Sequence, residues 1–244
     1  YAAGDRVIRA SLHKVFERVL AGTTATAPEA DGTNWLEVGP TNRWRMFDQK
    51  LGTITTQANS IVVVLEPGRV NGLALLGVDA STVTVDLTVD EGSGPVSVYS
   101  ASLDLDSGTQ VGNWYEYFYE PIYTQDSVVI TDLLDASLLD VPAYADGVLT
   151  VTIARSGGDV SCGLMVVGLV TELGETLYPA NVSIRDYSRK EADDFGNYAL
   201  VQRDYSKRMS AEVLVESRKA DQVVRNVSRY RATNVVWIGS KKYG

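Results

Sequence analysis

Residues 82–90 show the clearest pattern in the chain, a strict alternation of apolar and polar side chains. Val83, Val85, Leu87 and Val89 fall on one face of an extended chain, and threonines and aspartates fall on the other. This follows because successive side chains of a β-strand point to opposite faces of the sheet. The pattern predicts a strand that is buried on one side and solvated on the other.

Other apolar runs have strand length and are separated by turn-forming residues. Residues 66–68 (Glu-Pro-Gly) mark one turn, and later Gly-Ser-Gly, Asp-Ser-Gly and Ser-Gly-Gly segments are predicted linkers. Many short strands with no intervening helical period are typical of an antiparallel sandwich. The predicted strands are residues 60–65, 69–77, 82–90, 95–103, 127–132, 149–154 and 164–170.

The first 39 residues form a separate small segment, bracketed by glycine-containing turns. Ile8, Leu12, Val15 and Val19 recur at helical spacing, so periodicity alone allows an amphipathic helix. The β-branched residues and Phe16 fit strands equally well. The residues by themselves do not decide whether this segment forms a helix or strands.

Several positions in this segment match a known kind of small β module. They are Tyr1-x-x-Gly4-Asp5-x-Val7, Val15-Phe16-Glu17, and then Gly22, Pro28 and Trp35. Together they resemble the three-stranded chitin-binding-type modules of glycosidases and phage tail proteins, which implies strands over residues 1–39. In such modules exposed aromatic rings stack on sugars, which implies ligand contact by Tyr1, Phe16 and Trp35. The alternative, which we favour, is that these rings face inward, because a module this small has no core without them.

Residues 112–123 are a second aromatic-rich stretch, in which two glutamates lie among Trp114, Tyr115, Tyr117, Tyr119 and two further aromatic residues. Aromatic rings beside carboxylates can bind sugars, because stacking and hydroxyl hydrogen bonds are both supplied. The same composition is enriched at protein–protein interfaces. A third interpretation, the single most favoured one, places about half of these rings inside the sandwich. Contact of this stretch with a ligand or receptor is kept as a less favoured hypothesis.

Residues 40–172 carry a resemblance of their own. Met46-Phe47-Asp48, residues 60–65, residues 70–76 and residues 163–168 are similar to the galactose-binding-like, discoidin-type jelly roll. The match lies in apolar strand patterns, so it implies a fold rather than a ligand. In that fold ligands bind at loops on one end of the sandwich, and no binding residue can be carried over.

From residue 173 onward the chain becomes more charged and its basic residues concentrate. Residues 209–215 are predicted to form a strand, Ser217 to cap a helix, and residues 235–238 to form a closing strand. The apolar stripe of that helix would consist of Ala220, Val223, Val224, Val227 and Tyr230. A small α+β element that docks on neighbouring proteins is the expectation for residues 173–244.

The series from Gln202 to Gly239 resembles the C-terminal portion of structural proteins from the tails of long-tailed bacteriophages, as does the stretch of residues 35–48. The resemblance implies a virion component at the tail tip or baseplate. It also implies other phage tail proteins as partners and a homo-oligomeric, symmetric assembly. Host cell-surface polysaccharide is a further partner that the carbohydrate-binding resemblance implies.

Composition limits the classes of partner, metal and cofactor that the chain is expected to bind. The 244 residues carry a net charge of −9, which opposes binding to phosphate backbones and anionic membranes, so neither nucleic acid nor membrane insertion is expected. One cysteine and one histidine cannot supply the usual transition-metal spacings, and we predict no cofactor and no metal. The chain lacks a signal-peptide pattern and is expected to be soluble, with trimming of either end left open.

The sequence thus predicts a mainly β protein of three modules. These are a small carbohydrate-binding-like β module (residues 1–39), a jelly-roll sandwich (40–172) and an α+β assembly element (173–244). The predicted function is a non-enzymatic structural component of a phage tail, located in the virion, with some contact to host-surface glycan. The alternative is a free-standing carbohydrate-binding protein, and a glycoside-active enzyme is a distant third.

Overall fold

The structure, a computed structural model, confirms a mainly β chain with a small N-terminal sheet, a curled antiparallel sheet and one short C-terminal helix. Two compact units are present, Tyr1–Val170 and Thr171–Gly244. The residues described are 1–23, 25–50, 52–90, 92–106, 114, 126–134, 142–178, 180–192, 198–203 and 205–239.

The small sheet is antiparallel and three-stranded, in the order β1 (Arg6–Arg9), β2 (Lys14–Arg18), β3 (Trp35–Pro40). The strand alternative is therefore correct for this segment, and the helical one is wrong. A single 3₁₀ turn, Ala10–Leu12, connects β1 to β2, and His13 ends that turn in the left-handed conformation. The chain can reverse there within four residues, so the helical spacing of apolar residues is broken by the turn.

The large sheet is built around one long strand. It comprises β4 (Thr55–Leu65), β5 (Gly72–Asp79), β6 (Thr82–Asp90), β7 (Pro95–Asp104), β8 (Ser127–Ile130) and β9 (Val148–Gly168). One edge of β9 pairs with β4, while its other edge pairs first with β6 and later with β5. Strand β7 extends the sheet beyond β6, and β8 extends it beyond β5. The result is a curled, jelly-roll-like sheet that encloses its own core.

The expected linker at residues 156–158 (Ser-Gly-Gly) is wrong, because β9 continues through it. Ala154 pairs with Ser60 and Asp159 pairs with Ala58, so four residues of β9 lie opposite Asn59 alone. Gly157 and Asn59 both have positive φ, the left-handed conformation that glycine and asparagine adopt most readily and that suits an irregularity in a ladder. The bulge bends both strands where the partner of β9 changes from β6 to β5, and so curls the sheet without ending a strand.

The predicted alternation in β6 is confirmed: Val83, Val85, Leu87 and Val89 are all buried. Val83, Val85 and Leu87 belong to a core shared with β4, β5, β8 and β9, into which Met46 also projects from the 3₁₀ helix Asn42–Phe47. Thr55 at the start of β4 holds this helix, since its hydroxyl donates to the Asn42 carbonyl and accepts from the Met46 amide.

The second unit is one long hairpin followed by a helix. Its strands pair in nested fashion: β10 (Glu175–Thr176) with β15 (Val213–Leu214), β11 (Asn181–Asp186) with β14 (Tyr205–Ser210), and β12 (Arg189–Ala192) with β13 (Tyr198–Val201). We call the pairs β11–β14 and β12–β13 the ribbon. The helix α1 spans Ala220–Arg229.

Two local predictions for this unit are wrong. Ser217 does not cap the helix; it begins a 3₁₀ turn, Ser217–Lys219, that leads into α1. Residues 235–238 form no strand and run as irregular chain, with the Gly239 carbonyl accepting a hydrogen bond from the Thr176 hydroxyl. The predicted strand at residues 209–215 is also divided, since β14 ends at Ser210 and β15 begins at Val213.

Candidate interaction surface

The aromatic residues of the N-terminal module divide between core and surface. Phe16 and Trp35 are 5% and 3% exposed, so neither ring can offer a face to a sugar. Tyr1 is 63% exposed and meets Trp35 in a T-shaped arrangement, with ring centroids 5.0 Å apart. The inward interpretation therefore applies to Phe16 and Trp35, and only Tyr1 of the three lies at the surface.

Arg18 explains how so small a module holds together. Its side chain is buried over the Trp35 ring, with the guanidinium carbon 5.1 Å from the ring centroid. The Nε group donates to the Leu20 carbonyl at 2.6 Å, and Asp31 lies 4.0 Å away. A planar guanidinium can stack on a ring and donate in its own plane at once, which a lysine cannot do. Arg18 is thus the centre of this module's core rather than a ligand-binding cation.

A second aromatic group, which sequence reasoning missed, joins the small sheet to the chain that follows it. The His13 imidazole stacks on the Trp44 indole, with centroids 4.2 Å apart and planes at 23°. Phe47 lies 5.8 Å beyond Trp44, and Trp44 is 40% exposed. The left-handed backbone of His13 places the imidazole there, and the Thr41 amide donates to the His13 carbonyl. The group ties β2 to the 3₁₀ helix Asn42–Phe47.

Of the aromatic stretch at residues 112–123, Trp114 is the described member. It is 76% exposed, which is the exposure that a contact residue needs. Tyr115, Tyr117 and Tyr119 lie outside the described residues. The hypothesis that this stretch contacts a ligand or receptor can therefore be related to the structure only at Trp114.

Two described groups that the sequence offers for chemistry, the Cys162 thiol and the Asp104 carboxylate, are respectively buried and used in a local hydrogen bond. Burial raises the pKa of the Cys162 thiol to about 11, so the thiol is protonated at neutral pH. The Asp104 carboxylate accepts a hydrogen bond from the Asp106 amide, which is the geometry of a turn. Within the described part of the chain, no group of three or more histidine, cysteine or carboxylate side chains could hold a metal ion.

The second unit has an unusual surface, because no side chain that the structure describes between residues 171 and 239 is buried; the side chains of residues 182, 192, 199 and 205–207 lie outside that description. The ribbon illustrates this. Cross-strand partners lie on one face of a two-stranded ladder, so Met209 shares a face with Ile184, and Tyr198 shares one with Leu200. Ile184 and Leu200 line the same shallow groove, so the two pairs lie on one side of the ribbon.

We call these four side chains the apolar face of the ribbon. They are Ile184 (66% exposed), Tyr198 (64%), Leu200 (78%) and Met209 (48%). The opposite side carries Asn181, Ser183, Arg185, Arg208 and Ser210.

Polar groups at the margins fix the shape of the apolar face. Lys190 places its Nζ atom 3.8 Å from the centroid of the Tyr198 ring, within range of a cation–π interaction. The Ser188 hydroxyl and amide donate to Asp186 and lower the pKa of that carboxyl, so it stays ionised. The Ser188 hydroxyl oxygen in turn accepts from the Arg203 amide across the ribbon. These bonds order the turn between β11 and β12 at the groove.

Helix α1 adds a second uncovered apolar surface. The predicted stripe is present on the helix, yet Val224 is 64% exposed and Val227 is 43% exposed. No residue of the helix is buried. An amphipathic helix normally buries its apolar stripe against other elements. Both the ribbon and the helix therefore present apolar side chains to the solvent.

Comparison with protein-family models and with curated proteins finds no match to this chain. Among the described residues, no helix is long and apolar enough to cross a membrane. The functional argument therefore depends on the surfaces themselves.

Proposed function

We propose that this chain is a non-enzymatic structural subunit of a phage tail, and that residues 171–244 attach it to neighbouring subunits. The observation that carries the proposal is that none of the side chains described between residues 171 and 239 is buried, while many of them are large, apolar and exposed. As far as its side chains are described, the unit has apolar surface to bury and no core of its own.

The energetics favour a partner. Full burial of one large apolar side chain stabilises by about 1.5–3 kcal/mol, so a few residues of the ribbon would contribute appreciably to a docked state. A two-stranded hairpin without a covering layer is at best marginally stable in water. Large exposed apolar patches on folded proteins mark interaction sites. Docking would supply the burial that the ribbon and helix lack.

The assignment to a phage tail, at its tip or baseplate, is supported by the resemblance of residues 35–48 and 202–239 to tail structural proteins. A tail is a symmetric assembly with many subunit contacts, and such contacts suit a subunit with one compact sheet and one extended hairpin. The partners proposed are other tail proteins and further copies of this chain.

The test compares two variants in tails purified from the phage that encodes the chain. The Ile184→Asp/Leu200→Asp variant places two charges on the apolar face, whereas the control Ser183→Asp places one on the opposite side. Two charges on the apolar face should weaken docking by more than about 1.4 kcal/mol, which corresponds to a tenfold loss in affinity. We therefore expect the double variant to be depleted more than tenfold in tails. Quantitative mass spectrometry would measure this. Normal incorporation of the double variant, or no wild-type chain in tails, would contradict the proposal.

A second candidate function is contact with host-surface glycan, or carbohydrate binding by a free-standing protein. The exposure of Trp114 favours it, since an exposed indole can stack on a sugar ring. Trp114→Ala should weaken binding to cell-surface polysaccharide and leave the melting temperature nearly unchanged. Trp237→Ala, at an indole that is 57% exposed in the other unit, is the matched control and should bind as the wild type does. Equal binding by all three proteins would remove this candidate.

A further inference from the structure

The two sides of the ribbon differ in chemistry, and the side opposite the apolar face is basic. Lys190 lies opposite Leu200 on the apolar face, so the alternation along β12 places Arg189 on the other side. Arg185 and Arg208 lie on that side as well. All three arginines are exposed. We call this side the basic face of the ribbon.

Two of these arginines lie close together without a counter-charge. Arg208 lies opposite Ser183, and Arg185 follows Ser183 by two residues, so the two arginines are diagonal neighbours on the ladder. Diagonal neighbours lie about 7–8 Å apart, within reach of long side chains. Neither arginine forms an ion pair with a described carboxylate, whereas the Arg189 Nε atom lies 3.7 Å from Glu191 Oε1. An anionic group between Arg185 and Arg208 would relieve their mutual repulsion and accept hydrogen bonds from both.

Tyr187 adds an aromatic ring to the basic face. The guanidinium carbon of Arg185 lies 5.3 Å from the centroid of the Tyr187 ring, within range of a cation–π interaction. This contact positions the guanidinium group beside the ring, and Tyr187 remains 49% exposed. The ring can therefore pack against a flat part of a ligand whose anionic group binds the guanidinium.

The other groups of the basic face favour a ligand with many hydroxyl groups. Asn181, Ser183 and Ser210 are exposed and can both donate and accept hydrogen bonds. A protein partner would need an apolar centre, and Val201, 38% exposed, is the one aliphatic side chain described on this face. Hydroxyl-rich sugars match this surface better than a protein does.

The charge of the chain favours a sparsely charged polymer over nucleic acid. Residues 171–244 contain 13 basic and 10 acidic residues and carry +3, so residues 1–170 account for −12 of the net charge of −9. Duplex DNA has one negative charge per about 1.7 Å, and the first unit would repel it. A polysaccharide with carboxylates on only some of its sugars would meet the arginines locally with much less repulsion.

We propose that the basic face of the ribbon binds an acidic polysaccharide. A carboxylate of the polymer lies between Arg185 and Arg208, and a neighbouring sugar ring packs on Tyr187. The inference rests on the second candidate function above, contact with glycan, and it assigns to that function a ligand class and a site distinct from Trp114. The apolar face, on the other side of the ribbon, stays available for attachment to neighbouring subunits.

The test measures binding of hyaluronan oligosaccharides, which carry a carboxylate on every second sugar, to the full-length chain by calorimetry. The wild type should bind them, and the affinity should fall as salt is raised. The same oligosaccharides with their carboxylates reduced to alcohols should bind more than about tenfold more weakly, because no anionic group remains. Arg185→Ala/Arg208→Ala should lose a similar factor of affinity for hyaluronan. Tyr187→Ala should also weaken binding.

Three matched variants separate the site from general charge. Arg218→Ala/Arg225→Ala removes two arginines of the same unit that lie outside the ribbon, so it should bind as the wild type does. Arg185→Lys/Arg208→Lys keeps the charge but loses the planar fork of donors, so its affinity should be intermediate. Trp114→Ala should retain the affinity for hyaluronan. Circular dichroism checks that each variant is folded.

Several outcomes would overturn the inference. They are a wild type that does not bind hyaluronan, equal binding by the wild type and Arg185→Ala/Arg208→Ala, and tighter binding of a DNA duplex than of hyaluronan at the same salt concentration. If binding is lost only in Trp114→Ala, the inference fails and glycan contact at Trp114 stands. If hyaluronan binds as expected but the chain is absent from tails, the structural function fails and the inference stands.

Discussion

Val85 shows how single positions specify the register of the large sheet. It lies opposite Ala101 of β7 and Val151 of β9, and both valines are fully buried. Its neighbour Thr84 lies opposite Ser102 and Thr152 on the outer face. A shift of one residue would bring the polar row inside and the apolar row outside. The alternation seen in the sequence is therefore sufficient to specify which face of β6 is buried.

Replacing Val85 by Asp should prevent folding of the first unit. An unpaired carboxylate at a fully buried position loses the apolar burial and adds a desolvation cost of several kcal/mol, which is comparable with the whole stability of a domain. The matched control is Val62→Asp, because Val62 is 57% exposed on β4. Thermal unfolding followed by circular dichroism should show no cooperative transition for the first variant and a near-normal one for the second. Equal melting of both would mean that the register is wrong.

Cys162 is a second position at which burial decides the chemistry. The side chain is fully buried in β9, and burial raises the pKa of its thiol to about 11. An unfolded thiol ionises near pH 8.5, so the unfolded chain releases its proton first as the pH rises. The free energy of unfolding is therefore unaffected by this group below pH 8.5 and falls as the pH rises toward the folded pKa.

The corresponding prediction compares the wild type with Cys162→Ala in urea unfolding. Between about pH 8.5 and 11 the wild type should lose about 2–3 kcal/mol more than the variant, because only it carries the shifted thiol. Alkylation of the native wild type near pH 8 should also be slow, since the thiolate is the reactive form, and should become fast in denaturant. Parallel pH profiles for the two proteins, or rapid alkylation of the native chain, would contradict a buried thiol.

At the scale of elements, β4 is an exposed edge that contains no charged residue. Val62 and Val64 are 57% and 61% exposed on its outer side, and in the described part of the sheet the strand pairs only with β9. Edge strands of natural proteins usually carry lysine, proline or a bulge that prevents pairing with other chains. Here the bulge at Asn59 protects only the middle of the strand. The half from Ser60 to Leu65 remains available for pairing.

Val62→Lys/Val64→Lys should therefore reduce non-specific aggregation without lowering the melting temperature. The lysines would stay solvated on the outer face, and a charged edge disfavours edge-to-edge pairing. Val63→Lys is the control on the same strand: Val63 packs against the core, so this variant should melt at a lower temperature. Light scattering during concentration, together with thermal unfolding, separates the two effects. Unchanged aggregation of the double variant would show that β4 is not the edge responsible.

Elements differ in how far the sequence predicts them, and the reasons are physical. Strand β6 is predictable because its period of two is strict and one face is buried. Strand β9 is not, since Gly157 has the same local signature in a linker and in a bulge, and only pairing with β4 distinguishes them. Residues 235–238 have the apolar composition of a strand but no paired neighbour, so they stay irregular.

The features of the candidate surfaces also differ in how well they can be predicted from the sequence. The exposure of Trp114 and the burial of Trp35 are not distinguishable from aromatic composition, because both lie among turn-forming residues. The stacking of His13 on Trp44 joins residues far apart in sequence and depends on where β2 begins and where β3 ends. The basic character of the second unit can be seen in the sequence, whereas the exposure of all its described side chains emerges only from the folded chain.

At the scale of the whole molecule, the two units differ in what stabilises them. Every buried apolar side chain of the described structure lies within the first unit, and its core cluster runs from Met46 to Met165. The second unit depends on hairpin hydrogen bonds and one short helix, which are marginal in water without a covering layer. The stability of the isolated chain is therefore expected to come mainly from residues 1–170, and under the proposed function the second unit would gain stability on binding.

Removal of residues 173–244 should consequently leave a soluble, folded protein that melts close to the main transition of the full chain. None of the second unit's described side chains is buried, so the free energy of unfolding of the first should change by less than about 1 kcal/mol. The full chain should also lose amide protection in the ribbon and α1 at free energies far below global unfolding, which hydrogen exchange would detect. The truncated protein should fail to enter tails. A truncated chain that unfolds, or one incorporated at normal levels, would show that residues 173–244 stabilise the first unit instead of attaching it to a neighbour.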